Sequence, residues 1–525
     1  MLNSINIVKD EIQGRYAIAT KFVERGEALI IEEAFAFVPT DAYREVACAY
    51  CGKLNINGTV MAISPDDTVR YCSEKCIIND YNNHIQSAEA LKKLSNLGVV
   101  GSGSEPLRLI LKIAGMRKIE SKDINFSDDI PLLGKANNFA SIKCLEAATQ
   151  YIDSKTVEEL KQTSKTISKI ANEHKLLLSD KEALHLLYAI QCNAHQILDD
   201  KDRAIGLGLF PFTSMLNHSC APNCAHYFDI TANGIPKLIM RATKDILPGS
   251  EICYSYVSLY SSAITRRLKL QKAYQFLCNC SRCTDNDNND DCIDKVSANV
   301  TEKVNILSEQ VQCYANLLND DENNGIDLFT LYDSLNALVM DLIPQTNIYH
   351  KFVLQSYIII AKAGYKISMS SGQSLEILKC SFTYALLALG CIYCMTGTRQ
   401  KETGELELLI AQLLYSISKS GTMHNTTSSD FLAFVLDMIE ENGELNLYLQ
   451  HSDNEVQRII EYGISYASEE FKRLHNGKNV VKIEDLYIAF ATTGLECIRV
   501  CRGDEYLLTI CRKLPSSIIQ CYCCY

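Results

Sequence analysis

Three cysteines fall within six residues, at Cys278, Cys280 and Cys283. Thiolates at this spacing are typical ligands of a tetrahedral zinc ion, and three of them leave one coordination position to be filled. Cys220, well upstream in the sequence, is the candidate for that fourth position. A shared ion would hold two distant segments of the chain together. The pattern therefore predicts that the segment around Cys220 lies beside a metal-braced tail.

A second cysteine group lies nearer the start of the sequence. It consists of Cys48-x2-Cys51 and Cys72-x3-Cys76, again with the spacing of zinc ligands. His84 follows, but a lone histidine is more often a surface or hydrogen-bonded residue than a metal ligand. The four cysteines therefore predict one further structural zinc ion.

Composition narrows the classes of protein that the chain fits. With 525 residues it is too long for one core and should fold into two to four domains. The formal net charge is −12, which argues against direct binding of nucleic acid through a basic surface. Most of the 23 cysteines outside the two groups stand among apolar residues, which favours reduced thiols over a disulfide scaffold.

Targeting segments are not evident. Residues 1–10 lack the basic and apolar regions of a signal peptide, and we find no uninterrupted apolar run of about 18 residues that would predict a membrane span. We therefore expect a cytoplasmic or nuclear location and no membrane partner.

Local patterns suggest how the chain is organised. The apolar run at 28–31 predicts a strand, and Ser179-x2-Glu182 is a capping-box pattern that predicts the start of a helix. The pattern at 191–260 predicts short strands, and the composition at 284–295 predicts an acidic linker. From about 296 to 520, apolar residues recur at helical spacing, as at 408–417.

The segment before the cysteine tail carries the most specific motif, Asn217-His218-Ser219-Cys220. It is preceded by GLGLFP at 206–211 and followed by PGSEI at 248–252 and by Ser255-Tyr256. Together with the tail, these motifs resemble those of the SET and MYND domain-containing protein-lysine methyltransferases, over roughly residues 1–290. The resemblance implies an α+β fold in which SET-domain β-sheets are split by a MYND-type zinc finger and a helical insert. An all-α, tetratricopeptide-like domain would follow.

On this resemblance we predict six regions. They are 1–47 (SET N-terminal part), 48–88 (degenerate MYND-type finger), 89–190 (helical insert), 191–260 (SET core), 261–285 (zinc tail) and 286–525 (helical C-terminal domain).

The finger departs from the family pattern. A MYND finger holds two zinc ions in a crossed arrangement, and the resemblance assigns Cys48, Cys51, Cys72 and Cys76 to the first site. The second site has lost three of its four ligands, so that only His84 remains. We therefore predict one zinc in the finger and two in the chain. In the family this finger binds proline-containing peptides or contacts nucleic acid. The net negative charge argues against nucleic acid, so the resemblance implies a proline-containing peptide as the candidate partner.

The resemblance also implies an S-adenosyl-L-methionine-dependent enzyme that methylates a lysine side chain of a histone or another protein. Its catalytic residues would be Tyr256, whose hydroxyl orients the amine, and Tyr274, which lines the lysine channel. The cofactor would be bound by Gly14, Arg15, Asn193, Asn217, His218 and Phe276. Cys220, Cys278, Cys280 and Cys283 would bind a structural zinc.

One residue favours a different function. The family's first cofactor motif is Gly-x-Gly, and here Tyr16 replaces its second glycine. A ring at this place would crowd the cofactor if the backbone must approach it closely, or it would point outward and leave binding intact. The alternative function is accordingly a weakly active or inactive SET-fold scaffold that binds protein partners through its finger and helical domain.

Overall fold

A computed structural model of the chain describes most of its first half and a set of helices in its second half. The described residues are 4–11, 14–55, 62–64, 66–97, 104–119, 139–230, 234–284, parts of 302–313, 328–342, 350–370, 375–396, 401–419, 483–512 and 514. The chain divides into two compact units, one of Met1–Val257 with Arg267–Asn279 and the other of Ser258–Arg266 with Cys280–Tyr525. The six predicted boundaries stay a prediction.

The described part of the first unit is built from short strands and five helices. The strands are β1 (Ile5–Asp10), β2 (Gly14–Ala19), β3 (Ala28–Glu33), β4 (Ala36–Pro39), β5 (Ala62–Ile63), β6 (Arg70–Tyr71), β7 (Ala194–Leu198), β8 (Ala204–Leu209), β9 (Asn217–His218), β10 (Cys224–Asp229), β11 (Lys237–Ala242) and β12 (Glu251–Tyr254). The helices are α1 (Glu74–Asn96), α2 (Glu105–Arg117), α3 (Phe139–Lys143), α4 (Ser154–Glu173) and α5 (Asp180–Asn193), and the chain continues after β12 through α6 (Ala263–Tyr274) and α7 (Ser281–Thr284). This mixture of small sheets and helices confirms the predicted α+β class for this part of the chain.

Four small sheets carry the site-bearing segments. Their strand orders are β1-β2-β12-β9, β10-β11-β3, β4-β8-β7 and β5-β6. Neighbouring strands are antiparallel except β12 and β9, which pair in parallel. The strand predicted at 28–31 is confirmed as part of β3.

Close packing explains the glycines of the predicted GLGLFP motif. A Cβ built on Gly206 in β8 would lie 2.0 Å from a ring carbon of Phe37, far inside van der Waals contact. Only glycine lets β8 approach β4 at this point. The strand thereby leads into the turn at 213–215 that precedes Asn217.

Buried hydrogen bonds fix that turn. The carboxylate of Glu32 accepts from the backbone N–H groups of Phe212 and Thr213, both at 2.8 Å, and from the Thr213 hydroxyl at 2.7 Å. Burial in β3 raises the pKa of Glu32 to about 7, and these bonds satisfy the oxygens of its buried carboxyl group.

The predicted capping box at the start of α5 is confirmed. The Ser179 hydroxyl accepts from the Glu182 N–H, and the Glu182 carboxylate accepts from the Ser179 N–H, both at 3.2 Å. The helix ends at Asn193, so its length places that residue at the junction with β7.

The described part of the second unit is helical, as predicted from its apolar periodicity. Its longer helices are α8 (Leu328–Leu342), α9 (Lys351–Ser370), α10 (Leu375–Thr396), α11 (Lys401–Lys419), α12 (Ile483–Arg502) and α13 (Asp504–Cys511). The apolar residues at 408–417 are buried in its core. The predicted acidic linker lies outside the described residues, apart from Thr284.

Among the described residues, one helix is long and apolar enough to cross a membrane on length and composition alone. It is α10, and 78% of its most apolar window is buried inside the structure. The sequence analysis predicted helical structure in this region and no membrane span.

Candidate active site

The parallel pairing of β9 with β12 brings the two halves of the candidate site together. Asn217 lies opposite Cys253, and His218 lies opposite Tyr254. The Asn217 side-chain amide donates to the Glu251 carboxylate at 3.1 Å. The Asn-His motif is thus fixed directly beside the strand that leads to Tyr256.

His218 links the motif to both Tyr256 and a cysteine. Its Nδ1 accepts a hydrogen bond from the Tyr256 backbone N–H at 2.9 Å, and its Nε2 lies 3.2 Å from the sulfur of Cys220. Because Nδ1 acts as acceptor in a neutral ring, the proton resides on Nε2. That N–H can donate to a Cys220 thiolate, which is the arrangement expected around a metal-bound sulfur.

Tyr256 lies at the centre of an aromatic group. Ring centroids lie 4.7 Å away in Tyr274, 5.0 Å in Tyr254, 5.3 Å in His218 and 6.4 Å in Phe276. The structure therefore brings together four residues that the sequence singled out and adds Tyr254, which it did not.

The phenol groups of this aromatic group keep their protons at neutral pH. Burial, aided by the neighbouring Tyr274, raises the pKa of Tyr256 well above its usual range, and burial also raises the pKa of Tyr274. The Tyr256 hydroxyl donates to the backbone carbonyl of Leu216. The Tyr274 hydroxyl donates to the Tyr256 carbonyl at 3.4 Å. A fixed hydroxyl beside a backbone carbonyl can orient a polar group that enters between the rings.

The tail cysteines converge with Cys220. The sulfurs of Cys220, Cys278, Cys280 and Cys283 all lie within 4.8 Å of one another, and Cys220 and Cys278 are 4.0 Å apart. A tetrahedral ion with metal–sulfur bonds of about 2.3 Å would place its sulfurs about 3.8 Å apart. The four thiols therefore form a group that could bind a metal ion.

The finger contains the second such group. The sulfurs of Cys48, Cys51, Cys72 and Cys76 also lie within 4.8 Å of one another, with spacings of 3.5 Å and 3.6 Å along the last three. These distances fit the same tetrahedral set. Both groups that could bind a metal ion consist of the cysteines that the sequence predicted.

His84 lies outside the finger's cysteine group. Its Nε2 is 2.9 Å from the carboxylate of Asp66 and 3.3 Å from the hydroxyl of Thr68. A carboxylate and a hydroxyl thus both contact Nε2 of this buried ring, and the group that could hold a metal ion consists of the four cysteines alone.

Arg15 and Asn193 converge on a segment that the sequence did not single out. This insert segment comprises residues 144–151, between α3 and α4. Arg15 donates to the Cys144 carbonyl at 2.6 Å and to the Glu146 carboxylate at 3.1 Å, and the Asn193 amide donates to the Glu146 carbonyl at 2.8 Å. Two predicted cofactor-binding residues therefore also hold the insert segment in place.

Tyr16 and Gly14 show how the altered glycine motif is accommodated. Gly14 has a φ of +70°, and a Cβ built on it would meet no atom within 4 Å, so open space lies beside it. In β2, Tyr16 alternates with Ala17, which is buried in the core, and its hydroxyl bonds to the Asp10 carboxylate. Strand pairing places Tyr16 on the sheet face that carries Glu251 and Asn217, opposite the face that carries His218.

Three polar rings pack together beside Tyr256: Tyr254, which is buried, and His195 and His226, which are half-buried. The Tyr254 hydroxyl and His195 Nε2 are hydrogen-bonded at 2.8 Å, and the His226 ring lies 5.3 Å from that of Tyr254. Burial lowers the pKa of His195 to about 3, assisted by repulsion from His226, and lowers that of His226 to about 4. Both imidazoles are therefore neutral at physiological pH. His195 stands two residues after Asn193, a proximity that could have flagged it.

These strands, the Asn-His motif and the aromatic group define a SET domain, and residues 14–257 match the SET domain family. Over this part of the chain the sequence is similar to several lysine methyltransferases. It is 26% identical over 272 residues to histone-lysine N-methyltransferase ASHR1 of Arabidopsis thaliana, which covers 52% of this chain and 53% of the relative.

Two vertebrate relatives match a similar stretch. Identity is 27% over 275 residues with histone-lysine N-methyltransferase SMYD3 of Mus musculus, covering 51% of this chain and 58% of the relative. It is 28% over 270 residues with N-lysine methyltransferase SMYD2-B of Danio rerio, covering 51% and 53%. The match thus spans little more than half the length of these relatives.

Proposed function

We propose that the protein is an S-adenosyl-L-methionine-dependent protein-lysine N-methyltransferase. The observation that carries this proposal is the position of Tyr256, whose hydroxyl is held at the Leu216 carbonyl in the middle of an aromatic group. The SET family match over 14–257 supports the same reaction.

Lysine methylation requires a neutral amine as nucleophile. An ordinary lysine has a pKa of about 10.4 and is mostly protonated at pH 7. A buried channel between aromatic rings disfavours the ammonium form, and the neutral Tyr256 hydroxyl can orient the amine by hydrogen bonding. Tyr256 and Tyr274 are therefore the proposed catalytic residues.

The cofactor would be bound by Gly14, Arg15, Asn193, Asn217, His218 and Phe276. When bound, S-adenosyl-L-methionine supplies an electrophilic methyl group. The open space beside Gly14 and the ring of Phe276, 6.0 Å from that of His218, support this assignment. Arg15 is largely buried, which suits a cation held close to a carboxylate-bearing ligand.

Both metal ions are proposed to be zinc with structural roles. All four donors of each group are thiolates, so no coordination position is left for water or substrate. The tail ion would hold Tyr274 and Phe276 near the motif, and the finger would carry a single ion.

The substrate is proposed to be a lysine-bearing protein in the cytoplasm or nucleus. The printed names of the relatives include both histone-lysine and N-lysine methyltransferases, which supports a histone or another protein. A MYND-type fold for the finger and a tetratricopeptide-like arrangement of the C-terminal helices belong to the same proposal, as does a proline-containing peptide at the finger.

Calorimetric titration with S-adenosyl-L-methionine tests the proposal against the scaffold alternative. We expect the native protein to bind, and Tyr16→Gly to bind with an affinity within about threefold, because Tyr16 faces away from His218. Absence of binding heat in both proteins would favour the scaffold. Binding by Tyr16→Gly alone would show that the tyrosine blocks the site.

A further inference from the structure

Gln275 has an unusual backbone conformation between two predicted site residues. It has a φ of +64° and is only 2% exposed, directly after the end of α6 and between Tyr274 and Phe276. Residues other than glycine rarely adopt this left-handed region, and glycine is the usual residue at such a helix end. Something other than backbone preference must therefore favour glutamine here.

The side chain of Gln275 joins two parts of the first unit. Its Nε2 donates to the Lys272 carbonyl in α6 at 3.0 Å, and its Oε1 accepts from the Tyr151 N–H of the insert segment at 2.8 Å. The side chain of Gln150 donates to the Gln275 backbone carbonyl. The side-chain amide and the backbone carbonyl of Gln275 thus all form hydrogen bonds. These bonds connect the end of α6 to the insert segment.

The insert segment is held at both of its ends. Near residue 144 it is bound by Arg15 and Asn193, and at 150–151 by Gln275. The left-handed conformation of Gln275 also lies between Tyr274 and Phe276, whose rings both belong to the aromatic group. The same residue therefore fixes two different walls of the candidate cofactor site.

We propose that Gln275 is a positioning residue for cofactor binding, which acts by clamping the insert segment to the turn that presents Phe276. This inference rests on the proposed function. Its particular claim is that the bond to Tyr151, and not the bond to Lys272 that closes the helix end, sustains cofactor affinity.

Two substitutions separate these roles. Gln275→Gly removes both side-chain bonds but suits the left-handed backbone, so the melting temperature should stay close to that of the native protein. Gln275→Glu keeps an oxygen that accepts from Tyr151 but loses the donor to Lys272, and it buries a carboxylate, so it should melt earlier. Lys175→Gly is the matched control, since Lys175 also has a positive φ, of 61°.

The test combines calorimetric titration with S-adenosyl-L-methionine, thermal melting and hydrogen exchange at the Tyr151 amide. Gln275→Gly should raise the dissociation constant at least tenfold and speed Tyr151 exchange at an unchanged melting temperature. Gln275→Glu should stay within about threefold of native affinity despite its lower melting temperature. Lys175→Gly should match the native protein in affinity and exchange.

The outcomes distinguish this inference from the proposed function. If the native protein binds the cofactor and Gln275→Gly binds it equally well, Gln275 does not position the cofactor site. The inference is then overturned and the proposed function stands. If affinity in the variants merely follows their melting temperatures, Gln275 is only structural and the inference is overturned. If the native protein does not bind, the proposed function fails, and the inference fails with it.

Discussion

His218 Nδ1 accepts a hydrogen bond from the backbone N–H of Tyr256, 38 residues later in the chain, at 2.9 Å. The bond sets the tautomer of the imidazole and leaves Nε2–H directed at Cys220, 3.2 Å away. A single ring thereby connects the proposed catalytic tyrosine to a proposed metal ligand. The metal and the site should therefore depend on each other.

Loss of the tail metal should weaken cofactor binding. Cys278→Ser removes one of four thiolates, so metal content should fall from two ions to one, and cofactor affinity should fall at least tenfold as Cys220 and His218 lose their support. Elemental analysis and calorimetry measure the two effects. Cys72→Ser in the finger is the control and should lose one ion while leaving affinity within about twofold. Equal losses of affinity in both variants would contradict a specific link.

Tyr256→Phe should abolish methyl transfer or slow it about a hundredfold or more, because it removes one preorganised hydroxyl at the reacting centre. Cofactor affinity should change little, since the backbone N–H that binds His218 remains. Transfer from labelled cofactor to a histone and mixed-protein substrate panel measures the first effect. Tyr227→Phe, in β10, is the matched control. Unchanged turnover in Tyr256→Phe would exclude it as a catalytic residue.

The half-buried histidines His195 and His226 should make the protein sensitive to acid. Burial lowers the pKa of His226 to about 4, whereas an unfolded histidine titrates near 6.5. As pH falls below about 6.5, this histidine binds a proton in the unfolded chain but stays neutral in the folded chain. The free energy of unfolding therefore decreases with decreasing pH, down to about pH 4. Between pH 7 and pH 5 the free energy of unfolding should decrease by about 2 kcal/mol through this residue.

His226→Phe should remove that share of the acid sensitivity. Urea midpoints at pH 7 and pH 5 measure it, and the difference between them should be smaller in the variant than in the native protein. His174→Gln, near the end of α4, serves as the control and should keep the native difference. If the variant kept the native pH dependence, His226 would be able to bind a proton in the folded protein at pH 5, and its pKa would not be lowered.

The finger should keep its metal when His84 is replaced. His84 binds Asp66 and Thr68, so His84→Ala should retain two ions per chain and lose about 1–3 kcal/mol of stability from the buried groups left without their partner. Elemental analysis and thermal melting test both points, with His174→Ala as the control. Loss of an ion in His84→Ala would identify His84 as a ligand.

Features governed by local rules could be predicted from the sequence. The capping box of Ser179 and Glu182 depends on residues three apart, and it formed as expected. The cysteine groups could be predicted because closely spaced cysteines are typical of metal sites. In the structure, the four sulfurs of each group lie close together. The resemblance around Asn217 then indicated which aromatic residues would meet.

Contacts between distant, common residue types could not be predicted. Nothing in the insert segment marks it as a partner of Arg15, since glutamate and backbone carbonyls occur everywhere. Gln275 likewise depends on a tertiary bond to Tyr151 that no local pattern encodes. The direction of Tyr16 follows from strand pairing with β12, which becomes visible only in the folded chain.

Photochemical cross-linking of the native protein to radiolabelled S-adenosyl-L-methionine, followed by peptide mapping, tests most directly where the cofactor binds. We predict label that unlabelled cofactor displaces, confined to peptides that contain Gly14–Tyr16, Asn193, Asn217–His218 or Phe276. Displaceable label found only in the finger cysteines or in the helices of 328–511 would contradict a site built around His218 and Tyr256.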